Sequence, residues 1–450
     1  MSQYADFRGF LDFLESRGKL LRVRKEVDTR FDIAAGIRKV SDTDGPALLY
    51  ENIRGYPGWR VAAGLFATRK LLALALEVPE ERLLEHYERL EQKSLPVEEV
   101  PTGPVQEIVI TGDDIDISKL PIAVHSEFDK GPYITIGVQF AVDPETGIGN
   151  LGIHRMLVLG KDRLTVWSPP DHHLGRLIAK AEDRGHGLPV ATLIGCDPRI
   201  VIGSQVKAPL GVNEMEIAGG MRGRPIQMVR CKSIPISAPA DAELCIEGVT
   251  VPNERIPDGP FAEYTGCYSE SKRAPVLKVT AITMRQNPIY HTCLTGFPVT
   301  ENHVLIELPN ITRIARDVRR VVPELRGINV TPGGTFRHHV VVSIKKRHQE
   351  EGRNVILALL SAGIGLKQVT VVDDDIDVHN LLDVEWALST RMQPDQDIIV
   401  IPRLACSTLD PSVPSPRTTA GWGIDATRPA GDPRKFEKVR VPGVDKVDYV

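Results

Sequence analysis

Between residues 106 and 300 the apolar residues of this chain alternate far more often than they recur at helical spacing. Alternating runs at 133–142, 153–159 and 164–167 are separated by turn sequences such as Asp143-Pro144 and Gly160-Lys161-Asp162. Further strand-like runs occupy 226–231, 244–250, 276–284 and 288–294, and helical patterns interrupt only at 174–184 and 213–221. So many short strands in succession must curl into a barrel or a strongly curved sheet to bury one face.

The flanks read differently. In the first hundred residues Phe7, Phe10, Leu11 and Leu14 share a helix face, Gly18 suits the helix end, and 20–27 and 47–51 read as strands. Two more helices begin near Thr68 and Pro79, and a Pro/Gly stretch at 101–104 marks a boundary. After residue 302 helical segments (302–320, 349–361, 380–390) alternate with strands (339–344, 368–373, 397–401), the pattern of an α/β layer domain. The last fifty residues are rich in Pro, Gly and charge and read as an extended arm or a short terminal helix. The expectation is an α+β chain of three parts: an N-terminal α/β domain (1–105), a barrel-like domain (106–300) and a C-terminal α/β domain with a terminal arm (301–450).

Several function classes lose support here. A net charge of −4 offers no basic field for nucleic acid. The one basic run, Lys345-Lys346-Arg347, leads into Glu350 and Glu351 and reads as a solvated helix start. No apolar run reaches membrane-span length, and the N-terminus lacks a signal-peptide pattern, so a soluble cytoplasmic protein is expected. Six scattered cysteines, including Cys406, form no C-x-x-C pair and read as reduced thiols. Gly147, Gly149 and Gly152 match the dinucleotide fingerprint G-x-G-x-x-G, but a strand-like run follows where the fingerprint needs a helix; a β-turn is the better reading. The acidic run Asp373-Asp374-Asp375-Ile376-Asp377 reads as a loop capping the helix near Asn380, more than as a cation site.

Four stretches carry chemistry. They are Asn150-Leu-Gly-Ile-His154-Arg155-Met156; Pro169-Pro170-Asp171-His172-His173; Gly211-Val212-Asn213-Glu214; and Asp258-Gly-Pro-Phe-Ala-Glu263-Tyr-Thr-Gly266. Singly, such residues cap helices or pair with surface charges. Together they supply an amide, an imidazole and a carboxylate for a hard or borderline cation. They also supply an arginine fork and two carboxylates for proton work.

The order and spacing of these stretches, with the closing Gly423-Ile424-Asp425-Ala426-Thr427, resemble the UbiD-like decarboxylases along nearly the whole chain. The resemblance implies a flavin-reductase-like split β-barrel for 106–300 and an oligomerisation role for 301–450. It implies reversible, non-oxidative decarboxylation of an aromatic or heteroaromatic, α,β-unsaturated acid, releasing CO2. It also implies prenylated FMN, bound through Mn2+ or Mg2+ with K+ nearby, and a flavin prenyltransferase as the source of that cofactor. The metal ligands it implies are Asn150, His173 and Glu214; residues approaching the cofactor are Gly152, Ile153, His154, Arg155, Asp171, Ser204 and Gln205. Arg155, Asp258 and Glu263 match the family's Glu–Arg–Glu network, with Asp258 in place of the more common Glu. In that network Glu263 is the proton donor, Arg155 orients a carboxylate and Asp258 holds Arg155.

His291, Phe297, Val299, His303, Ile306 and Leu404 lie in segments the family uses near its substrate. No Arg or Lys stands between Asn287 and Ile311, so a monocarboxylic substrate is expected; a second carboxylate would need His291, His303 or a more distant cation. A homo-oligomer, dimer or hexamer, is implied, with no membrane or nucleic-acid partner. Two alternatives are a non-catalytic subunit of a multi-subunit carboxylase and an ordinary FMN-binding split-barrel oxidoreductase.

Overall fold

The computed structural model describes residues 2–363, 365–405, 407, 409–413, 418–431 and 433–447. It forms two compact units, Met1–Pro309 and Asn310–Val450, and the chain is α+β.

In the first unit the helix Phe7–Ser16 starts at Asp6, whose Oδ1 accepts the Gly9 N–H at 2.8 Å. It buries Phe7, Phe10, Leu11 and Leu14, the stripe legible in the sequence. Thr68 caps the helix Arg69–Leu76 in the same manner, accepting from Leu71 N at 3.2 Å. The expected strand at 20–27 is shorter, Leu20–Val23, because Val27 leaves the ladder and forms an isolated bridge with Ile53. A four-stranded sheet runs in the order Leu20–Val23, Ala47–Tyr50, Arg60–Ala63, Ile289–Thr292. Its last strand comes from 229 residues further along, pairing in parallel as Ile289↔Arg60 through Thr292↔Ala63.

The strand-rich block builds a seven-stranded antiparallel sheet around the long strands Leu244–Asp258 and Lys272–Met284. Its ladders run from Arg163–Thr165 at one end to Gly149–Ile153 at the other, and no ladder joins these ends among the described residues. The expected strand at 133–142 is divided into Tyr133–Ile134 and Val138–Val142. The expected strand at 153–159 likewise resolves into Gly149–Ile153 and Met156–Leu157. These breaks coincide: Gly149–Ile153 pairs with Val138–Val142, whereas Met156–Leu157 pairs with Tyr133–Ile134. The chain therefore changes sheets at His154 and Arg155, where the His154 N–H leaves the ladder to reach Gln139 Oε1 at 2.7 Å. No helix follows Gly152, so the dinucleotide fingerprint is a turn and strand here.

In the second unit the strand order is Leu325–Val330, His339–Ile344, Gln368–Asp373, Thr418–Ala426, Ile398–Ala405, with the helices Glu351–Ser361 and Leu381–Arg391 among its other elements. The expected arm is corrected at this point: residues 418–426 form an internal strand of the sheet. Gly421 and Gly423 disguise it, because they read as loop residues. A Cβ on Gly423 would lie 2.2 Å from Ile356 Cγ2, so glycine is what lets the helix Glu351–Ser361 press onto the strand.

The acidic run is bound internally. Arg391, fully buried, pairs with Asp373 at 3.0 Å and with Asp375 at 2.6 Å, while Asn380 caps the helix Leu381–Arg391. Arg347 pairs with Glu351 one turn on, as a helix start would, but Lys346 is half-buried and reaches Thr427 Oγ1 at 3.0 Å. Five described cysteines are free, four of them buried; Cys406 lies outside the described residues. No helix among the described residues is long and apolar enough to cross a membrane.

Candidate active site

The sheet-changing step fixes the first cluster. Arg155 leaves it between two short ladders, with Asp258 at the end of one long strand and Glu263 in the turn that follows. All three side chains are buried. Arg155 Nε donates to Asp258 Oδ1 at 2.8 Å and Arg155 Nη1 donates to Glu263 Oε1. Asp258 Oδ2 accepts from the hydroxyl of Thr165, itself fully buried. The Arg155 guanidinium lies 4.8 Å from the Phe261 ring centroid and 5.8 Å from that of Trp167. Burial disfavours the Arg155 charge, but Glu263 and Asp258 outweigh it and hold the guanidinium pKa above its ordinary value. Burial lifts the Glu263 carboxyl above its ordinary value, with Arg155 pulling in the opposite direction. One donor remains: Arg155 Nη2 is buried without a hydrogen-bond partner.

A second cluster lies on the same sheet's far strand and two helix starts. Asn150 stands within Gly149–Ile153, His173 opens the helix His173–Asp183, and Glu214 opens the helix Glu214–Arg222. Asn150 Nδ2 is 3.3 Å from His173 Nδ1 and 3.3 Å from Glu214 Oε2; His173 Nδ1 is 3.6 Å from Glu214 Oε1. The Leu151 N–H donates to Glu214 Oε2 at 2.9 Å and anchors the carboxylate. A small hollow lined by Gly149, Asn150, His173, Gly211 and Val212, among others, opens beside the trio. A half-turn of the Asn150 amide puts Oδ1 where Nδ2 stands and makes three lone-pair donors converge. That donor set of oxygen and imidazole nitrogen suits Mn2+ or Mg2+. Among the described residues no group of three or more His, Cys, Asp or Glu is placed to hold a metal, and this trio includes an amide instead.

The remaining expected cofactor residues are scattered around these clusters. Gly152 and Ile153 continue the Asn150 strand, and His154 has its imidazole pKa depressed to about 3, by burial and by His172. Asp171 is exposed just ahead of His173. Ser204 closes the short helix Pro198–Gly203, donates to Val201 O at 2.7 Å and accepts from Gln205 Nε2 at 3.1 Å.

The expected substrate residues differ in their surroundings. His291 is buried between the Phe7 and Phe66 rings with neither ring nitrogen partnered. His303 is fully buried and hydrogen-bonded through both nitrogens, and Ile306 is fully buried on the same helix. Val299 is half-buried, and its carbonyl accepts from Arg38 Nη2 at 2.6 Å. Leu404 belongs to the second unit, opposite Thr419 in the strand register. Of the expected residues, Phe297 lines a cavity of about 510 Å³ together with Phe31, Ala34, Arg38, His125 and Leu294. Arg38 also donates to Phe297 O at 2.8 Å. It is a cation brought to this segment from a distant helix, invisible to any local reading of 287–311.

Comparisons with known proteins identify the family. Family models for 3-octaprenyl-4-hydroxybenzoate carboxy-lyase match in three consecutive parts: the N-terminal domain at residues 11–90, the Rift-related domain at 98–298 and the C-terminal domain at 303–426. An anhydromevalonate phosphate decarboxylase of Methanosarcina mazei is 35% identical over 436 residues, covering 97% of this chain and 99% of that one. A phenolic acid decarboxylase of Bacillus subtilis is 34% identical over 443 residues, covering 95% and 93%. Among solved structures, the UbiD-class enzyme HmfF from Pelotomaculum thermopropionicum, in complex with FMN, superposes with a TM-score of 0.91 at 38% identity. That match covers 99% of this chain and all of the other. An evolved dimeric form of HmfF in complex with prFMN gives a TM-score of 0.87 at 37% identity, covering 99% of each chain.

Such an architecture, an α+β chain with a buried Arg–carboxylate cluster on its central sheet, is that of an acid-processing lyase. The chain belongs to the UbiD family of carboxy-lyases.

Proposed function

We propose that this protein decarboxylates an aromatic or heteroaromatic, α,β-unsaturated acid, using prenylated FMN held through Mn2+ or Mg2+. The observation that carries the reading is the unpartnered Arg155 Nη2 beside a carboxyl whose pKa is raised. A buried guanidinium donor without an acceptor costs about 1–3 kcal/mol, and a substrate carboxylate relieves that cost by accepting from it. Glu263, favoured in its protonated form by burial, then holds the proton that replaces CO2 on carbon. When bound, the prenylated flavin supplies the electron sink that an sp² carbon lacks.

Asn150, His173 and Glu214 would hold the metal that ties the cofactor phosphate to the protein, with K+ near Ser204 and Gln205. Gly152, Ile153, His154 and Asp171 would face the cofactor. Asp258 is one methylene shorter than the family's usual Glu, yet it lies 2.8 Å from Arg155 Nε, so its orienting role is compatible with the shorter side chain. Nothing in the site favours a non-catalytic subunit or an ordinary FMN oxidoreductase. The Phe297 cavity and half-buried Val299 support an aromatic ring nearby; Arg38, already bonded to Asp42 and to two carbonyls, leaves a second carboxylate poorly served. The same reading carries a split barrel in 106–300, a flavin prenyltransferase as cofactor source, a cytoplasmic setting and a homo-oligomer.

The test is anaerobic CO2 release from a panel of hydroxybenzoates and of furan, pyrrole and indole carboxylates. The protein is coexpressed with a flavin prenyltransferase and supplied with Mn2+ and K+. Turnover that requires the prenylated cofactor supports the reading. A loaded protein inert towards every acid, and without solvent deuterium exchange into any candidate product, would sink it.

A further inference from the structure

Glu263 sits in a turn that is closed on itself. Its N–H donates to Cys267 O at 3.0 Å and its carbonyl accepts the Gly266 N–H at 2.9 Å. Such a turn holds its own shape, and Arg155 Nη1 grips the carboxyl tip, but neither fixes where the backbone that carries Glu263 is seated. Two ties from residues 297–303 reach it. The Phe297 ring packs on Gly266, where an added Cβ would lie 3.0 Å from Phe297 Cδ2. His303 Nε2 lies 2.7 Å from the carbonyl oxygen of Tyr264, the residue next to Glu263.

The proton on His303 is assigned by its neighbours. The Thr300 N–H donates to His303 Nδ1 at 3.1 Å, and the Thr300 hydroxyl lies 2.8 Å from the same nitrogen. A backbone N–H can only donate, so Nδ1 presents its lone pair and Nε2 carries the hydrogen given to Tyr264 O. The ring is fully buried and both nitrogens are occupied by protein, which leaves none for a substrate.

We infer that His303 is a positioning residue for Glu263: a neutral imidazole that pins the Tyr264 carbonyl and so aims the adjacent carboxyl, without touching substrate. This rests on the reading of Glu263 as the proton donor. By analogy with the outer partners that orient metal-ligating side chains, an effect of about 10–100-fold in activity is expected.

The experiment compares wild type, His303→Leu, His303→Gln and Thr300→Val by steady-state kinetics across pH and, in the cofactor-free protein, by amide hydrogen exchange over residues 262–267. Leucine removes the donor; glutamine keeps an N–H where Nε2 stood. In His303→Leu, kcat should fall about 10–100-fold with KM within about twofold, and the alkaline limb of the kcat profile should move. The turn amides should exchange faster, and His303→Gln should recover most of both losses. Thr300→Val keeps the backbone bond and the side-chain volume, so it guards against misfolding of His303→Leu; a smaller change in the same direction is expected. A raised KM with kcat intact in His303→Leu would make His303 a substrate contact and overturn the inference. Unchanged kcat, pH limb and exchange in the soluble variants would overturn it equally. Exchange is read without turnover, so an inert wild type would count against the decarboxylase reading while the pinning was still decided.

Discussion

The two clusters on the central sheet handle charge in opposite ways. Around Arg155 the cation and both carboxylates come from the protein, are buried together, and leave one donor open. Around Glu214 the protein contributes a carboxylate, an imidazole and an amide within 3.6 Å, with the imidazole partly exposed. The first arrangement already pairs its cation internally, yet its open guanidinium N–H asks for an acceptor; the second holds no positive charge and asks for a cation. On the proposed function, a carboxylic acid and a metal-bound phosphate would be the complementary guests.

That contrast can be broken most sharply at Glu263. Glu263→Gln should lower CO2 release by about 10²–10⁴-fold, the range typical of a lost general acid, and leave Mn2+ affinity unchanged; assay and calorimetry on one preparation would check both. The wild-type pH profile belongs to the same test. A proton donor works below its pKa, so kcat should fall as pH rises, with the midpoint above the usual carboxylate value because burial raises the pKa of Glu263. A decline centred at or below that usual value would remove Glu263 from the role.

Glu214→Gln should do the converse, weakening Mn2+ binding by more than the roughly 10–100-fold typical of losing a mere outer partner, while leaving the Arg155 cluster and the thermal stability of the cofactor-free protein near wild type. Retained Mn2+ affinity would mean that the trio is not the metal site.

His291 sharpens the comparison from outside both clusters, since it is buried with neither ring nitrogen hydrogen-bonded to the protein. Its folded pKa is depressed to about 3 by burial. As pH falls below the ordinary value near 6.5, the unfolded chain takes up a proton that the folded chain refuses, and stability is lost. His291→Leu should flatten that slope in thermal melts between pH 7 and 5 and stabilise by about 1–3 kcal/mol. Loss of turnover with stability gained would instead mark His291 as a substrate residue.

The smallest change is at Thr165. Thr165→Val deletes a hydroxyl bonded to Asp258 and should cost about 1 kcal/mol, roughly fivefold in kcat, with metal binding untouched.

Much of this is legible in the sequence because the candidate side chains sit at element ends, where turn residues and helix starts mark the text. Asn213-Glu214 reads as a helix start and is one; His173 reads as the first residue after a strand and turn, and it opens a helix. Thr165 and Arg38 were not legible. A threonine inside an alternating strand carries no local mark of pairing with Asp258, 93 residues away. Arg38 looks like any charged residue on an amphipathic helix until the fold brings it to Phe297 and Val299. The broken strands failed for a related reason: periodicity reports which faces are buried, not which partner is bonded, so the sheet change at Arg155 looks continuous. Glycine misled in the opposite direction at 418–426, where the absence of a side chain reflects close packing.

That last strand also bears on how the protein is made. Thr418–Ala426 lies between Gln368–Asp373 and Ile398–Ala405 in the sheet, yet it leaves the ribosome after both of them. Until it emerges, both neighbours present unpaired backbone edges, the surfaces on which nascent chains associate wrongly. A stop codon before residue 418 would therefore do more than remove a tail: it would strand Ile398–Ala405 away from its only ladder partner among the described residues and leave the edge of Gln368–Asp373 open, to be met by chaperones and proteases.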